Sequence, residues 1–199
     1  AISISDLTLS IGDFVTIEGD IAFDGDSFAG QNLEIFLGQG PARLESGDIN
    51  PLATGVLLAE ASIGLIRVGD THALHAEGTV MLLGIDGVTI VGTAIVRVNN
   101  TGMAINRTLE IPGSSADPIQ VVFDTADTVT SFQALDAELT VLGQTLQGNF
   151  SFDQSSNGTI KVAASDVALS LGDGTNGVAI TDASGALVLS PNGVAGRVE

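Results

Sequence analysis

The feature that most constrains this chain is its period-two rhythm. Apolar and polar residues alternate over 2–11, 14–23, 88–98, 120–123, 135–142, 146–152, 159–163 and 186–189. Alternation of that kind puts one set of side chains on each face of a pleated strand, and Val, Ile, Thr and Phe, which dominate these runs, suit that surface. Between the runs stand Asp24-Gly25, Asp86-Gly87, Asn100-Thr101-Gly102, Asn157-Gly158 and Asn192-Gly193, residues that tolerate positive φ and mark turns. No segment keeps a capped i, i+3, i+4, i+7 stripe over three turns, although 52–66 is apolar enough to hold a short helix. The expected fold is all-β, with about fifteen short antiparallel strands.

A second constraint is self-similarity. The pattern Thr-(Ile/Leu)-x-Gly, with apolar residues two and four places after the glycine, occurs three times. Thr16-Ile17-Glu18-Gly19 leads to Ile21 and Phe23, Thr89-Ile90-Val91-Gly92 to Ala94 and Val96, and Thr145-Leu146-Gln147-Gly148 to Phe150 and Phe152. Leu37-Gly38-Gln39-Gly40 matches Leu171-Gly172-Asp173-Gly174, and each is followed by Gly-Val and then Ala-Ser, at Gly55, Val56, Ala61, Ser62 and at Gly177, Val178, Ala183, Ser184. The offsets point to a unit of roughly 130 residues: 1–130 as one full unit and 131–199 as the first half of a related one. Each Thr-x-x-Gly segment reads as one long strand whose glycine permits a kink, a bulge or a close approach. Units that cannot bury a face alone can share it with neighbours, which predicts an elongated array of stacked antiparallel units, solenoid or sandwich-like. The chain opens on the alternation Ala1-Ile2-Ser3-Ile4-Ser5 and closes on strand-like residues, as an excerpt from a longer array would.

Composition narrows the chemistry. Acids outnumber bases 24 to 6 in 199 residues, a formal charge of −18. Lys161 and five scattered arginines cannot neutralise a phosphate backbone, so nucleic acid is not an expected partner, nor is an anionic membrane surface. There is no cysteine for a disulfide framework, a thiolate nucleophile or a Cys-ligated metal. Trp and Tyr are absent, which removes the usual platforms for sugars and bases. No apolar run approaches the length of a membrane-spanning helix.

Candidate sites are few. Calcium would take oxygen ligands from acidic loops, and the residues suited to it are Asp24 and Asp26 in one loop and Asp173 and Asn176 in another. Phe28 stands where an EF-hand-like spacing would want a third ligand. His72 and His75, three apart, face opposite ways on a strand and cannot share a metal there. No Gly-x-Ser-x-Gly elbow exists, and 113–118 reads as a loop, so no catalytic residues are assigned and no enzyme is expected. Asn99, Asn106, Asn149 and Asn157 begin Asn-x-Ser/Thr sequons.

The tandem Thr-(Ile/Leu)-x-Gly strands, the Leu-Gly-x-Gly loops, the acidity, the lack of cysteine and the scarcity of lysine resemble the repeat regions of giant secreted bacterial proteins of the adhesin-like, type I-secreted kind. The resemblance implies a non-catalytic structural or adhesive module, extracellular or at the cell surface. It would assemble with neighbouring repeats or copies of itself into a fibre or surface layer, or meet a cell-surface or matrix partner. The Gly-Gly-x-Gly-x-Asp calcium nonapeptide of that class is absent. Two further functions fit the residues: a calcium- or glycan-binding module, and a carrier of apolar ligands built as a barrel or open groove. For the structural reading, the strand glycines Gly19, Gly92 and Gly148 and inward-facing Phe23, Phe150 and Phe152 are the expected fold determinants.

Overall fold

A computed structural model describes residues 2–11, 15–155, 159–172, 177–190 and 193–199. The chain is all-β and antiparallel, with no helix among the described residues. The strands are β1 (Ile2–Ile11), β2 (Val15–Asp24), β3 (Ser27–Gln39), β4 (Thr54–Val68), β5 (Thr71–Leu83), β6 (Val88–Asn99), β7 (Ile105–Leu109), β8 (Ile119–Phe123), β9 (Val129–Val141), β10 (Gln144–Ser155), β11 (Ile160–Gly172), β12 (Gly177–Ser190) and β13 (Gly193–Val198). Eleven of them form one meander in the order β1-β2-β3-β4-β5-β6-β9-β10-β11-β12-β13, while β7 and β8 pair separately as a hairpin. The outer strands β1 and β13 do not pair with each other, so the sheet is open rather than a closed barrel.

Two expectations change in detail. The strands are fewer and longer than the turn spacing implied, and they lie side by side in one sheet instead of coiling into a solenoid or facing each other as a sandwich. Tight turns such as Gly25-Asp26, Gly69-Asp70 and Leu142-Gly143 explain this, because a short antiparallel connection can only place the next strand beside the last. The segment 52–66, apolar enough to hold a short helix, instead continues from a turn at Pro51-Leu52 into strand β4. Its alternation is lost because both faces of β4 are apolar. Leu57, Ala59 and Ile66 are buried on one face, Leu58, Ala61 and Ile63 pack on the other, and such a run has no readable period. Of the expected turns, 157–158 and residue 192 lie outside the described residues and Gly193 opens β13, while Gly25, Asp86-Gly87 and Thr101-Gly102 stand in turns or bends.

One face of the sheet is covered in two places. The β7–β8 hairpin packs Ile105, Leu109, Ile119, Val121 and Phe123 onto Ala22, Ala29, Ile66 and Ala73. Gly64 of β4 is its seat: a Cβ there would stand 2.6 Å from Val121 Cγ2 and 2.8 Å from Ile119 Cγ2. Arg97 of β6 pins the hairpin by donating to the Val122 carbonyl at 2.6 Å and lying 4.9 Å from the Phe123 ring centre, and Gln31 Nε2 donates to the Asp117 carbonyl in the β7–β8 loop. Further along the same face the loop 40–53 folds back, bringing Ala42 and Ala53 onto Phe36, Leu57, Ala59 and Leu83. Asn50 holds that loop, donating to the Pro41 carbonyl and accepting from the Leu52 N–H. Elsewhere this face mixes polar residues such as Thr8, Glu18, Gln147, Ser151 and Lys161 with apolar ones such as Ile95 and Val188.

Candidate functional site

The opposite face is apolar from one edge of the sheet to the other. The register joins Ile4, Ile21, Gly30, Ile63, Ala76, Val96, Phe132, Phe152, Val162, Leu187 and Gly196 into one unbroken row across all eleven strands. On the other side of the sheet's midline, Ile17, Ile35, Leu58, Val80 and Gly92 form a second row, and Ile90, Leu139, Leu146, Leu169 and Ile180 a third. Among the described residues no second layer lies over them: the hairpin and the 40–53 loop both sit on the other face. At ~4.8 Å per strand and ~3.3 Å per residue the face measures about 50 by 40 Å, several times the largest apolar patch of an ordinary monomer, ~300–600 Å².

This face is bent. Every pairing from β1 to β12, except β5 with β6, carries a register irregularity near mid-strand. Asp6, Asn32, Glu60, Asp136, Asp166 and Asp182 stand at these places with positive φ, and Gly19 and Gly148 join them at φ 139° and 155°. Asp and Asn tolerate that conformation better than most side chains, and a bulge bends the strand that carries it. Aligned from strand to strand, the bulges crease the sheet between β1 and β12.

Burial gives the direction of the crease. At mid-strand on the apolar face Ala61 is 0%, Leu33 2% and Ile21 8% exposed, whereas towards the ends of the same strands Phe23 reaches 47%, Leu37 42% and Val56 40%. A flat sheet without a cover would leave side chains about equally open along each strand, so the halves turn toward one another and the apolar side is concave. The acidic bulge residues are exposed. The result is an open trough, apolar inside and acidic along its outer spine.

The crease is held twice by the same geometry. In β1–β3, the Asp20 carboxylate accepts from the Asp6 N–H at 3.1 Å and from Asn32 Nδ2 at 3.2 Å. In β9–β11, Asn149 Oδ1 accepts from the Asp136 N–H at 2.8 Å while its Nδ2 donates to Asp166 Oδ2 at 2.9 Å. Acid and amide have exchanged strands, and each arrangement still matches one amide donor to one carboxylate. Gly19 and Gly148 sit alike: a Cβ on Gly19 would meet the Asn32 carbonyl and Leu33, and one on Gly148 the Ser165 carbonyl and Val167.

The predicted residues fall as follows. Asp24 ends β2 and Asp26 lies in the β2–β3 turn, its carbonyl accepting from the Arg67 N–H; Asp173 and Asn176 lie outside the described residues. Among the described residues no three His, Cys, Asp or Glu side chains gather as metal ligands. His72 and His75 occupy opposite faces of β5. Gly19, Gly92 and Gly148 each stand in the long strand their motif predicts, within β2, β6 and β10. Phe23, Phe150 and Phe152 do face the apolar side, but Phe23 and Phe152 are 47% and 37% exposed because no described residues cover that side. Asn99 is fully buried, donating to the Met103 carbonyl and accepting from Thr101, and is closed to glycosylation.

Sequence reasoning missed the acidic bulges, and a signal for them was present. The apolar positions change parity across each one: Phe132 and Ala134 give way to Ala137 and Leu139 across Asp136, and Val162 and Ala164 to Val167 and Leu169 across Asp166. A phase slip at an acid in mid-strand is what a bulge looks like in sequence. No family model, curated protein or solved structure matches the chain. No helix among the described residues is long and apolar enough to cross a membrane.

Proposed function

We propose that this chain is a carrier of apolar ligands: an open β trough whose concave face holds the hydrocarbon part of amphiphilic molecules. The observation that carries the reading is the apolar row running without a break across eleven strands of a creased sheet. Covering such a surface is worth ~25 cal/mol per Å² of apolar area removed from water. Narrow, flexible alkyl chains can follow a curved, row-like surface that a rigid second sheet would not fill. Catalytic groups are not needed for this role, since binding consists of desolvation and shape.

A structural reading is supported by a separate observation. β1–β3 and β9–β11 share their crease geometry six places apart in the sheet, consistent with a repeating six-strand unit and with the proposed division into 1–130 and 131–199. Strands added to an outer edge in the same register would lengthen the trough, so that array and carrier become one object. An extracellular setting belongs to this proposal and draws on the acidity and the absence of cysteine.

The test is saturable binding of a neutral fluorescent naphthylamine by solvent-stripped, folded protein, with displacement by a long-chain alkane or ester. The double variant Phe132→Ser and Phe152→Ser, a cross-strand pair on the apolar face, should weaken binding about tenfold, or ~1.4 kcal/mol. Absence of binding to the native protein, or equal binding by the double variant, would sink the carrier reading.

A further inference from the structure

Of the residues that the register places on the apolar face, two carry titratable side chains, and they are neighbours. Arg67 of β4 pairs directly with His72 of β5, next to the β4–β5 turn. The pair immediately inward is Leu65 with Leu74, and Phe28 lies across from Leu65 on β3. A guanidinium and an imidazole therefore stand side by side at the rim, with hydrocarbon beginning one step behind them. This is notable in a chain with six Lys and Arg residues in all. Backbone contacts fix the place: the Arg67 N–H donates to the Asp26 carbonyl, and the His72 N–H donates to Asn100 Oδ1 at 2.6 Å. Asp26 and Asp70 occupy the adjoining turns, yet neither forms a salt bridge with the Arg67 side chain; the ion pairs found among the described residues are Arg43–Glu34, His75–Glu77 and Arg197–Glu199.

Resting on the trough reading, we propose that Arg67 and His72 form the headgroup anchor of the trough and that its ligand is a long-chain fatty acid, bound with its carboxylate on Arg67 and its alkyl chain running inward over Leu65, Leu74 and Phe28. A guanidinium offers a planar pair of donors that matches a carboxylate. The formal charge of −18 selects further, because the field of an acidic protein penalises each added negative charge on the ligand. A carboxylate brings one such charge, and a phosphate monoester brings nearly two. Arg67 supplies a local cation where the single charge must sit, and the alkyl chain provides the remaining binding energy.

The experiment compares a fluorescent conjugated-polyene fatty acid with its methyl ester, which keeps the chain and removes the charge. Native protein should bind the acid about tenfold more tightly than the ester. Arg67→Gln should abolish that preference and leave ester binding unchanged, and ester binding serves as the check that the trough is intact. Arg197→Gln, on the opposite face of β13, changes the net charge equally and should keep the preference. If Arg67→Gln also loses the ester, His72→Gln decides, with a reduced acid preference at unchanged ester affinity expected. Acid and ester bound equally by the native protein, or a preference lost equally in Arg197→Gln, would overturn the anchor and leave the carrier standing. Binding of neither probe would overturn the carrier, and the anchor with it.

Discussion

Replacing Gly19 with alanine tests whether the crease requires close backbone approach. Gly19 has φ 139°, and a Cβ there would lie 2.8 Å from the Asn32 carbonyl oxygen, 2.9 Å from Leu33 Cδ2 and 3.0 Å from Leu33 Cα. Two of the three are backbone atoms, and Leu33 is 2% exposed, so none can swing aside cheaply. Gly25, in the β2–β3 turn that closes the same strand pair, has φ 59°, and a methyl group there would meet nothing within 4 Å. Both substitutions force a side chain into positive φ, at a cost of ~1–2 kcal/mol. Only Gly19→Ala adds overpacking, worth ~1–3 kcal/mol. The expected losses are about 2–5 kcal/mol for Gly19→Ala and about 1–2 kcal/mol for Gly25→Ala, read as midpoint shifts at constant m in urea unfolding. Heat would show the same order, since ~1 kcal/mol moves the Tm of a chain of this size by ~2–4 °C. Equal losses at the two positions would refute the close approach, and with it the account of how β2 and β3 meet at the crease.

Two shorter predictions separate the parts of the fold. Leu33→Ala, at the floor of the trough, should cost about 2–4 kcal/mol, whereas Phe23→Ala, on the same face but 47% exposed, should cost less than half as much; the reverse order in urea unfolding would contradict a concave apolar face. Gly64→Val should push the β7–β8 hairpin off its seat, so amide hydrogen exchange should quicken across β7 and β8 while β9–β11 stay protected. Unchanged exchange in β7 and β8 would mean that Val121 and Ile119 do not depend on that seat.

Much of the fold could be read from the residues because strand formation is local. Alternation in β1, β2, β6 and β10 marks strands directly, and Thr-x-x-Gly marks the strands whose glycines lie at or beside the crease. β4 was hidden because its second face is covered by elements from distant parts of the chain, the hairpin and the 40–53 loop, which makes apolar residues welcome on both sides. The candidate site was half visible. Apolar positions predicted a face to be buried, and the expectation of inward Phe23 and Phe152 assumed a partner layer that none of the described strands provides. Arg67 and His72 carry no local signal, since they belong together only through the β4–β5 register.

Sequence alone determined the strands, their turns and the two-sided chemistry of the sheet, because backbone pairing and alternation act over a few residues. Tertiary structure decided that the strands lie in one open layer, that the hairpin covers the face opposite the trough, and that bulges distant in sequence line up into a single crease. Those outcomes depend on register between strands, and register is a relation between segments that neither segment contains by itself.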